Sequence, residues 1–128
     1  MTNDILPVDN ILDLSEAMTN MDGDAELLHE IVEIFMATTQ PRLATIRQGI
    51  QDVNANQVAV QAHAIKGGAA NFCARRFVAS ALKLELLAKS GSLAGAESML
   101  DQMCTDFDDV AEVIKVVNWD EVARNWQE

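Results

Sequence analysis

Apolar residues recur at alternating intervals of three and four along most of this chain, and this spacing constrains the fold more than any other feature. The longest such stripe comprises Leu93, Ala96, Leu100, Met103, Phe107, Val110, Ile114 and Val117. Shorter stripes with the same spacing occupy residues 28–53, 58–72 and 77–88. Because this spacing places apolar side chains on one face of an α-helix, the sequence predicts an all-α fold, an antiparallel four-helix bundle with short connections.

Capping residues predict where the helices begin and end. The expected N-terminal caps are Asp13, Asp24, Asn54, Ser92 and Asn118. Each has a short polar side chain that can accept from a free backbone N–H of the first turn. Pro41 predicts a bend or break in a helix of residues 24–53, and Gly91 is expected just beyond the end of a helix of residues 74–89.

The same pattern divides the chain into three parts. We expect a flexible N-terminal segment at residues 1–12, the bundle with a short N-terminal helix at 13–117, and a C-terminal helical extension at 118–128. After residue 117 the stripe changes phase, and Trp119 and Trp126 belong to a new one. Two interpretations stay open for this extension: packing on its own bundle, or a surface for a partner or for self-association.

Charge and composition exclude several classes of function. The net charge of −11 disfavours nucleic acid and anionic membranes as partners, since both attract basic surfaces. No signal segment and no apolar run of about 18 residues is present, so we expect a cytoplasmic protein. The basic residues nevertheless cluster between positions 54 and 96, where five of them accompany one acid: Lys66, Arg75, Arg76, Lys83 and Lys89, with Glu85.

The stretch HAIKGGAANF, which begins at His63, places two glycines inside a predicted helix. Each costs about 0.8–1.0 kcal/mol relative to alanine in a helix interior. On a helical wheel Gly67 lies beside His63 on the outward face, and the neighbours there are small and apolar: Ala59, Val60 and Ala70. A histidine buried in the core is one interpretation. The other is an accessible histidine with Lys66 one turn away, which suits phosphoryl transfer between proteins.

The stretch HAIKGGAANFCARRFVASALKLELLAKSGSL resembles the signature of the histidine-containing phosphotransfer (HPt) domain of phosphorelays. The resemblance extends over about residues 13–117. It implies that His63 is the phosphoacceptor, that Lys66 steadies the phosphoryl oxygens and that Gly67 leaves room for the partner. Glu85 matches a position where family members place an acid or amide that hydrogen-bonds the histidine ring, although a solvated surface carboxylate is the alternative.

The predicted docking surface around His63 comprises Ala59, Val60, Gly67, Gly68, Ala70, Arg75 and Arg76. Two positions depart from the usual pattern of the family. Cys73 stands where a glycine is common before the next helix, and Gly68 stands where serine or alanine is frequent. Cys73 therefore raises a question about the local helix end, and about redox sensitivity if its thiol is exposed.

The resemblance also implies the partners. These are response-regulator receiver domains, whose aspartate carries the phosphoryl group and which bind Mg²⁺, and a hybrid sensor histidine kinase. The chain itself is expected to need no cofactor and to hold no ATP site, because it lacks a nucleotide-binding glycine loop. It is therefore expected to be a phosphoryl carrier rather than an enzyme, free-standing and monomeric rather than dimeric.

Two rival functions follow from other features. A docking or sequestering protein could use the same fold without carrying phosphate. A metal-dependent bundle enzyme is suggested by the pair Glu26 and His29, but such enzymes need two Glu-x-x-His pairs and this sequence has one. His29 lies off the apolar stripe of its helix and is expected to point to solvent, so no metal site is predicted.

Overall fold

The computed structural model describes residues 11–126, which form helices and no strands. The helices are α1 (Leu14–Asn20), α2 (Ala25–Gln51), α3 (Ala55–Ala70), α4 (Arg75–Lys89), α5 (Ala96–Val116) and α6 (Trp119–Asn125). Each of α2 to α4 packs against the next helix in the chain, and α5 closes the ring against α2. The predicted all-α, four-helix bundle with short helices at either end is therefore confirmed.

Four of the five predicted caps are confirmed. The side chains of Asp13, Asp24, Asn54 and Asn118 each accept from the backbone N–H three residues later. A cap of this kind stabilises a helix by about 1 kcal/mol. Ser92 was the wrong choice for α5. Its Oγ accepts from Ala94 N inside a turn, and the helix begins only after Gly95, whose φ of 85° lies outside the helical region.

Pro41 lies inside α2, which continues without interruption from Ala25 to Gln51. The predicted break is therefore absent. Pro41 is exposed, so the carbonyl that lost its hydrogen-bond donor can bind water instead. Buried residues on both sides of the proline, Phe35 and Leu43 among them, keep the two halves of α2 against one core.

The core is centred on the chain's four phenylalanines. Phe35 packs with its ring edge against Phe72 and Phe77, at centroid distances of 5.0 and 5.8 Å, and lies 6.5 Å from Phe107. Such edge-to-face pairs contribute about 0.5–1.5 kcal/mol beyond their burial. Residues 11 and 12 of the predicted flexible segment also lie in this core, where Ile11 is 2% and Leu12 0% exposed. Flexibility was thus wrongly predicted for these two, and residues 1–10 lie outside the described part.

The connection between α3 and α4 answers the question raised by Cys73. The residue adopts φ of 59°, the left-handed conformation that glycine adopts most easily, and α3 ends at the expected place. Its side chain is 7% exposed, and this burial raises the pKa of the Cys73 thiol. The thiol is therefore held protonated, which disfavours redox chemistry.

The C-terminal extension packs on its own bundle. Trp119 of α6 stacks on His29 of α2, with ring centroids 4.5 Å apart and planes 11° from parallel. Trp126 lies over Gly23 so closely that a Cβ at this glycine would meet the indole ring at 2.6 Å. Trp119 covers one face of the His29 ring, but 43% of the His29 side chain stays exposed, so this histidine partly faces solvent as expected. Within residues 11–126 no helix has the length and apolar character needed to cross a bilayer.

Candidate functional site

His63 lies in the middle of α3 and faces Glu85 on the neighbouring antiparallel helix α4. The Nδ1 atom of His63 is 2.8 Å from Oε2 of Glu85. The histidine side chain is 65% exposed and the glutamate side chain 1% exposed. The histidine is therefore neither buried in the core nor free in solution: one ring nitrogen is held by a buried acid and the ring faces solvent.

Two lysines also bind the carboxylate of Glu85. Lys66 Nζ lies 2.7 Å from Oε1, and Lys89 Nζ lies 2.9 Å from Oε2. The bond from Lys66, with those from Lys89 and His63, lowers the pKa of Glu85 from 4.5 to about 2 against the opposing effect of burial. Glu85 is thus a charged carboxylate at neutral pH. Because it is only 1% exposed, the alternative of a solvated surface residue is ruled out.

This arrangement determines which nitrogen of His63 can react. A carboxylate can only accept a hydrogen bond, so the Nδ1 atom of a neutral His63 ring carries the proton, and this N–H donates a hydrogen bond to Glu85. The lone pair then resides on Nε2, at the outer side of the ring. A histidine whose tautomer is fixed in this way can act as a nucleophile through Nε2 towards a group that approaches from solvent.

The two glycines of α3 have different surroundings. A Cβ at Gly67 would meet no atom of the described residues within 4 Å, so the space above it is open to a partner. A Cβ at Gly68 would lie 2.7 Å from the ring of Phe35, which belongs to the core. Gly68 was predicted to lie on the docking surface. The structure instead places it at the contact between α3 and α2, where only a residue without a side chain fits.

The other predicted docking residues fall into two groups. Val60 is 54% exposed and Ala70 is exposed, whereas Ala59 is only 8% exposed and packs between helices. The two arginines are not brought to His63. They begin α4 about nine or ten residues before Glu85, which is about 15 Å along a helix.

Both arginines bind acids of their own chain. Arg75 pairs with Asp13, the cap of α1, and with Glu16 in the first turn of α1. Arg76 lies 3.9 Å from Asp106 and 3.6 Å from Asp109 on α5. The sequence showed a basic segment but not these acidic partners, which come from distant parts of the chain. The arginines therefore secure the start of α4 rather than add positive charge around His63.

Sequence reasoning missed three residues near the site. Lys89 was counted only as a charge, although it stands four residues after Glu85 and so lies on the same face of α4. Leu82 and Leu86 are 38% and 57% exposed, and they lie on this side of α4, off its buried stripe. Their position off the stripe was the available signal, because a large apolar side chain on a solvent face often marks a contact surface.

Residues 11–126 contain no group of three or more His, Cys, Asp or Glu side chains that could hold a metal ion. Glu26 and His29, the pair that suggested a metal enzyme, stand on a helix whose histidine ring is stacked on Trp119. The site around His63 consists of one imidazole, one carboxylate and two ammonium groups, which suits binding and transfer of an anionic group.

A helical bundle in which a buried acid fixes the tautomer of an exposed histidine defines a class, the proteins that carry phosphoryl groups on histidine. The family model of the Hpt domain matches residues 30–113, about two thirds of the chain. This chain therefore belongs to the Hpt domain family, and its role lies in phosphotransfer within two-component signalling.

A solved structure has the same fold. The crystal structure of histidine-containing phosphotransfer protein B (HptB) from Pseudomonas aeruginosa PAO1 superimposes with a TM-score of 0.76 and 24% sequence identity. The match covers 89% of this chain and 96% of that one. At this identity the likeness shows the fold and leaves the partners undefined. A search of curated proteins found no match.

Proposed function

We propose that this protein accepts a phosphoryl group on Nε2 of His63 from the aspartyl phosphate of a receiver domain, or from a sensor kinase, and passes it to a second receiver domain. The observation that carries the proposal is the pairing of an exposed imidazole with a carboxylate that is 1% exposed. This pairing leaves Nε2 unprotonated and facing solvent, where it can attack the phosphorus atom of a phosphorylated partner.

The bonds that form and break in the transfer involve only the phosphoryl group and side chains of the two proteins. The Nε2 lone pair forms a bond to phosphorus while the bond from phosphorus to the aspartate oxygen breaks, and the aspartate leaves as a carboxylate. The Nδ1 proton stays between His63 and Glu85 throughout. Lys66 stands one turn from His63 and can turn its ammonium towards the phosphoryl oxygens. We expect Mg²⁺ to be supplied by the receiver, and no cofactor by this chain.

The receiver is proposed to dock on the surface around His63. Val60 on α3 and Leu82 and Leu86 on α4 offer exposed apolar area there. Gly67 leaves the face of α3 beside His63 without a side chain, so a partner's backbone can approach. An apolar surface with one reactive residue at its centre suits a transient complex, which must form and separate in each transfer. We expect the protein to act as a monomer in the cytoplasm.

The test is phosphate transfer from a phosphorylated receiver domain in the presence of Mg²⁺, measured by intact mass and by acid lability. We expect the wild-type protein to gain one acid-labile phosphate and the His63→Gln variant to gain none. His29→Gln is the matched control, since His29 is the chain's other histidine, and its ring stacks on Trp119 and lies beside the exposed Glu33 rather than a buried acid. It should be phosphorylated like the wild type.

A docking or sequestering role without phosphate is the second candidate, since the exposed Val60, Leu82 and Leu86 would serve binding alone. The two candidate functions differ in whether signalling requires His63: the carrier role requires it, and the docking role requires only binding. If His63→Gln binds the receiver and keeps signalling intact in cells, the docking role is correct. Loss of signalling with retained binding supports the carrier role.

A further inference from the structure

The short helix α6 lies over a groove that the bundle does not fill. None of the residues of α6 is buried, and a space of about 520 Å³ remains between this helix, the end of α5 and α1. Small-molecule sites have volumes of about 300–1,000 Å³, whereas packed cores leave few voids larger than a water molecule. Most of the lining is apolar and includes Leu14, Met18, Val113, Val116, Val117 and Val122.

Trp126, which also lines this groove, has an unused hydrogen-bond donor. Its Nε1 atom is buried, and it has no hydrogen-bond partner among the described residues. A buried indole N–H usually finds a partner, because without one it loses the hydrogen bond that water would have given it. An occupant of the groove that carries an oxygen acceptor would supply this partner.

The charge of the lining restricts the class of occupant. Glu121 is the only charged residue that lines the groove in the described part of the chain; Lys115 and Arg124, its nearest basic neighbours in the sequence, do not line it. A carboxylate in the groove would lose water and meet a charge of its own sign, without a cation to bind it. An ammonium group would be attracted by Glu121 but has no acceptor for Trp126. An uncharged carbonyl oxygen meets neither difficulty.

We infer that the groove under α6 binds an uncharged, mainly apolar small molecule whose carbonyl oxygen accepts a hydrogen bond from Nε1 of Trp126. The apolar body of this molecule covers Val116, which is otherwise 79% exposed. Because Nε1 is closed to water, the indole ring tilts towards the groove as the bond forms. The bound molecule joins α6 to α1 and α5, and so stabilises the attachment of the extension. The inference does not depend on phosphoryl transfer at His63, and either can fail without the other.

The test uses octanamide, an uncharged chain with a carbonyl group, and the whole protein labelled with ¹⁵N. The two tryptophans give two indole N–H signals, and Trp119→Phe assigns them. We expect octanamide to move the Trp126 signal downfield in a saturable titration, as for an N–H that gains an acceptor. Octanoate has the same chain length and should bind about tenfold more weakly, because its charge lies near that of Glu121. Glu121→Gln should remove most of this difference.

A matched pair of variants locates the bound molecule. Ser15 is exposed and lines the groove, so Ser15→Phe should place a ring there and weaken octanamide about tenfold. Ser90→Phe adds the same ring at an exposed position after α4 and should leave the affinity unchanged.

Four results would overturn the inference. These are no saturable shift with octanamide, equal affinity for octanoate in the wild type, an affinity that Ser15→Phe leaves unchanged, and saturable binding that leaves the Trp126 signal in place. If neither molecule binds but the Trp126 signal moves with protein concentration, the groove is a contact between two copies of the chain, and the inference is again wrong.

Discussion

Gly67 and Gly68 are adjacent, yet each lacks a side chain for a different reason. Among residues 11–126 nothing occupies the space above Gly67, so no contact with these residues offsets its cost in helix stability. Gly68 allows the ring of Phe35 to approach the backbone of α3, which strengthens the packing of α2 against α3. Gly68 therefore serves the fold, and Gly67 is proposed to serve a partner.

Gly67→Ala should separate function from stability. We expect the free energy of unfolding to rise by up to about 1 kcal/mol, since alanine is the better helix former and meets no atom there. Phosphoryl transfer from the receiver should slow, because the new methyl group stands where the partner's backbone approaches. Thermal unfolding and the transfer rate, measured on one preparation, check both parts. A variant that transfers at the wild-type rate would refute the role of Gly67 in docking.

Gly68→Ala is the matched variant, one residue further along α3. Its methyl group would lie 2.7 Å from the Phe35 ring, which is itself held by three other phenylalanines and has little room to move. We expect a loss of stability of about 1–3 kcal/mol, typical of overpacking. Urea unfolding measures it. Unchanged or increased stability would show that the two helices separate easily at this contact.

Because of Glu85, the free energy of unfolding should depend on pH in the acidic range. Its pKa in the folded state, about 2, lies below the 4.5 of the unfolded chain, so the folded protein binds this proton less readily. The stabilisation is therefore complete above about pH 5 and is lost as the pH falls from there towards 2, by on the order of 3 kcal/mol. Unfolding by urea at pH 6 and pH 3 measures the loss. Glu85→Gln, which cannot titrate, should lose less stability over the same interval.

At the scale of the helices, three connections share one way of ending a helix. Asp22, Val53 and Cys73 each adopt a left-handed conformation, with φ between 53° and 59°. In each case the next residue donates its N–H to the carbonyl five positions back, as in a Schellman motif. Glycine normally occupies this position. Since none of the three residues is a glycine, residue type did not predict these left-handed helix ends.

Val53 is the least suited of the three to this conformation. A β-branched residue with positive φ is a genuine outlier, and a left-handed residue with a Cβ costs about 1–2 kcal/mol. Its side chain is 78% exposed and makes little contact that a substitution could lose. We expect Val53→Gly to raise the free energy of unfolding by about 1 kcal/mol, measured by thermal or urea unfolding. Val53→Ala is the control and should gain less, because it keeps the Cβ; a loss of stability in the glycine variant would contradict this account.

The boundaries of the helices were predicted well where a local signal decides them. The four side-chain caps act over three residues, and their effect is legible in the sequence. The start of α5 was predicted too early because its apolar stripe extends back to Leu93. The left-handed Gly95 decides that boundary, and nothing in the periodicity reveals a backbone angle.

At the scale of the whole molecule, ion pairs determine how much positive charge each part of the surface carries. The count of basic residues in a segment of the sequence does not determine it. The basic segment of residues 54–96 suggested one positive surface around His63. In the folded protein Arg75 lies against acids at the start of α1 and Arg76 against acids on α5, and two lysines remain beside His63, namely Lys66 and Lys89. The site therefore carries less positive charge than the segment as a whole.

Receiver binding should consequently weaken as salt rises, but by a modest amount. Few exposed charges near His63 are available to meet an acidic receiver pocket, and salt screens exposed charges over about 10 Å. We expect a several-fold loss of affinity between low and physiological salt, measured by calorimetry or surface binding. Arg75→Met should show the same salt dependence as the wild type. A salt response that disappears in this variant would place Arg75 in the interface after all.

The sequence predicted the site as far as its parts are close together in the chain. His63, Lys66 and Gly67 belong to one motif, and the resemblance to the family added Glu85. It could not show that Glu85 is shared by three groups, or that Gly68 faces Phe35, because these contacts depend on how α2, α3 and α4 pack. Local spacing determines which residues share a face of a helix. Which residues of other helices pack against that face is determined only by the folded bundle.

The C-terminal extension has a further, spectroscopic consequence. Both tryptophans of the chain, Trp119 and Trp126, belong to it, and the sequence contains no tyrosine. Intrinsic fluorescence excited above the phenylalanine band therefore comes from this extension alone, and one of its two emitters is stacked on the ring of His29. Changes in emission will report the attachment of α6 to the bundle, while circular dichroism reports the four long helices. If the two signals change at different denaturant concentrations, the extension detaches before the bundle unfolds.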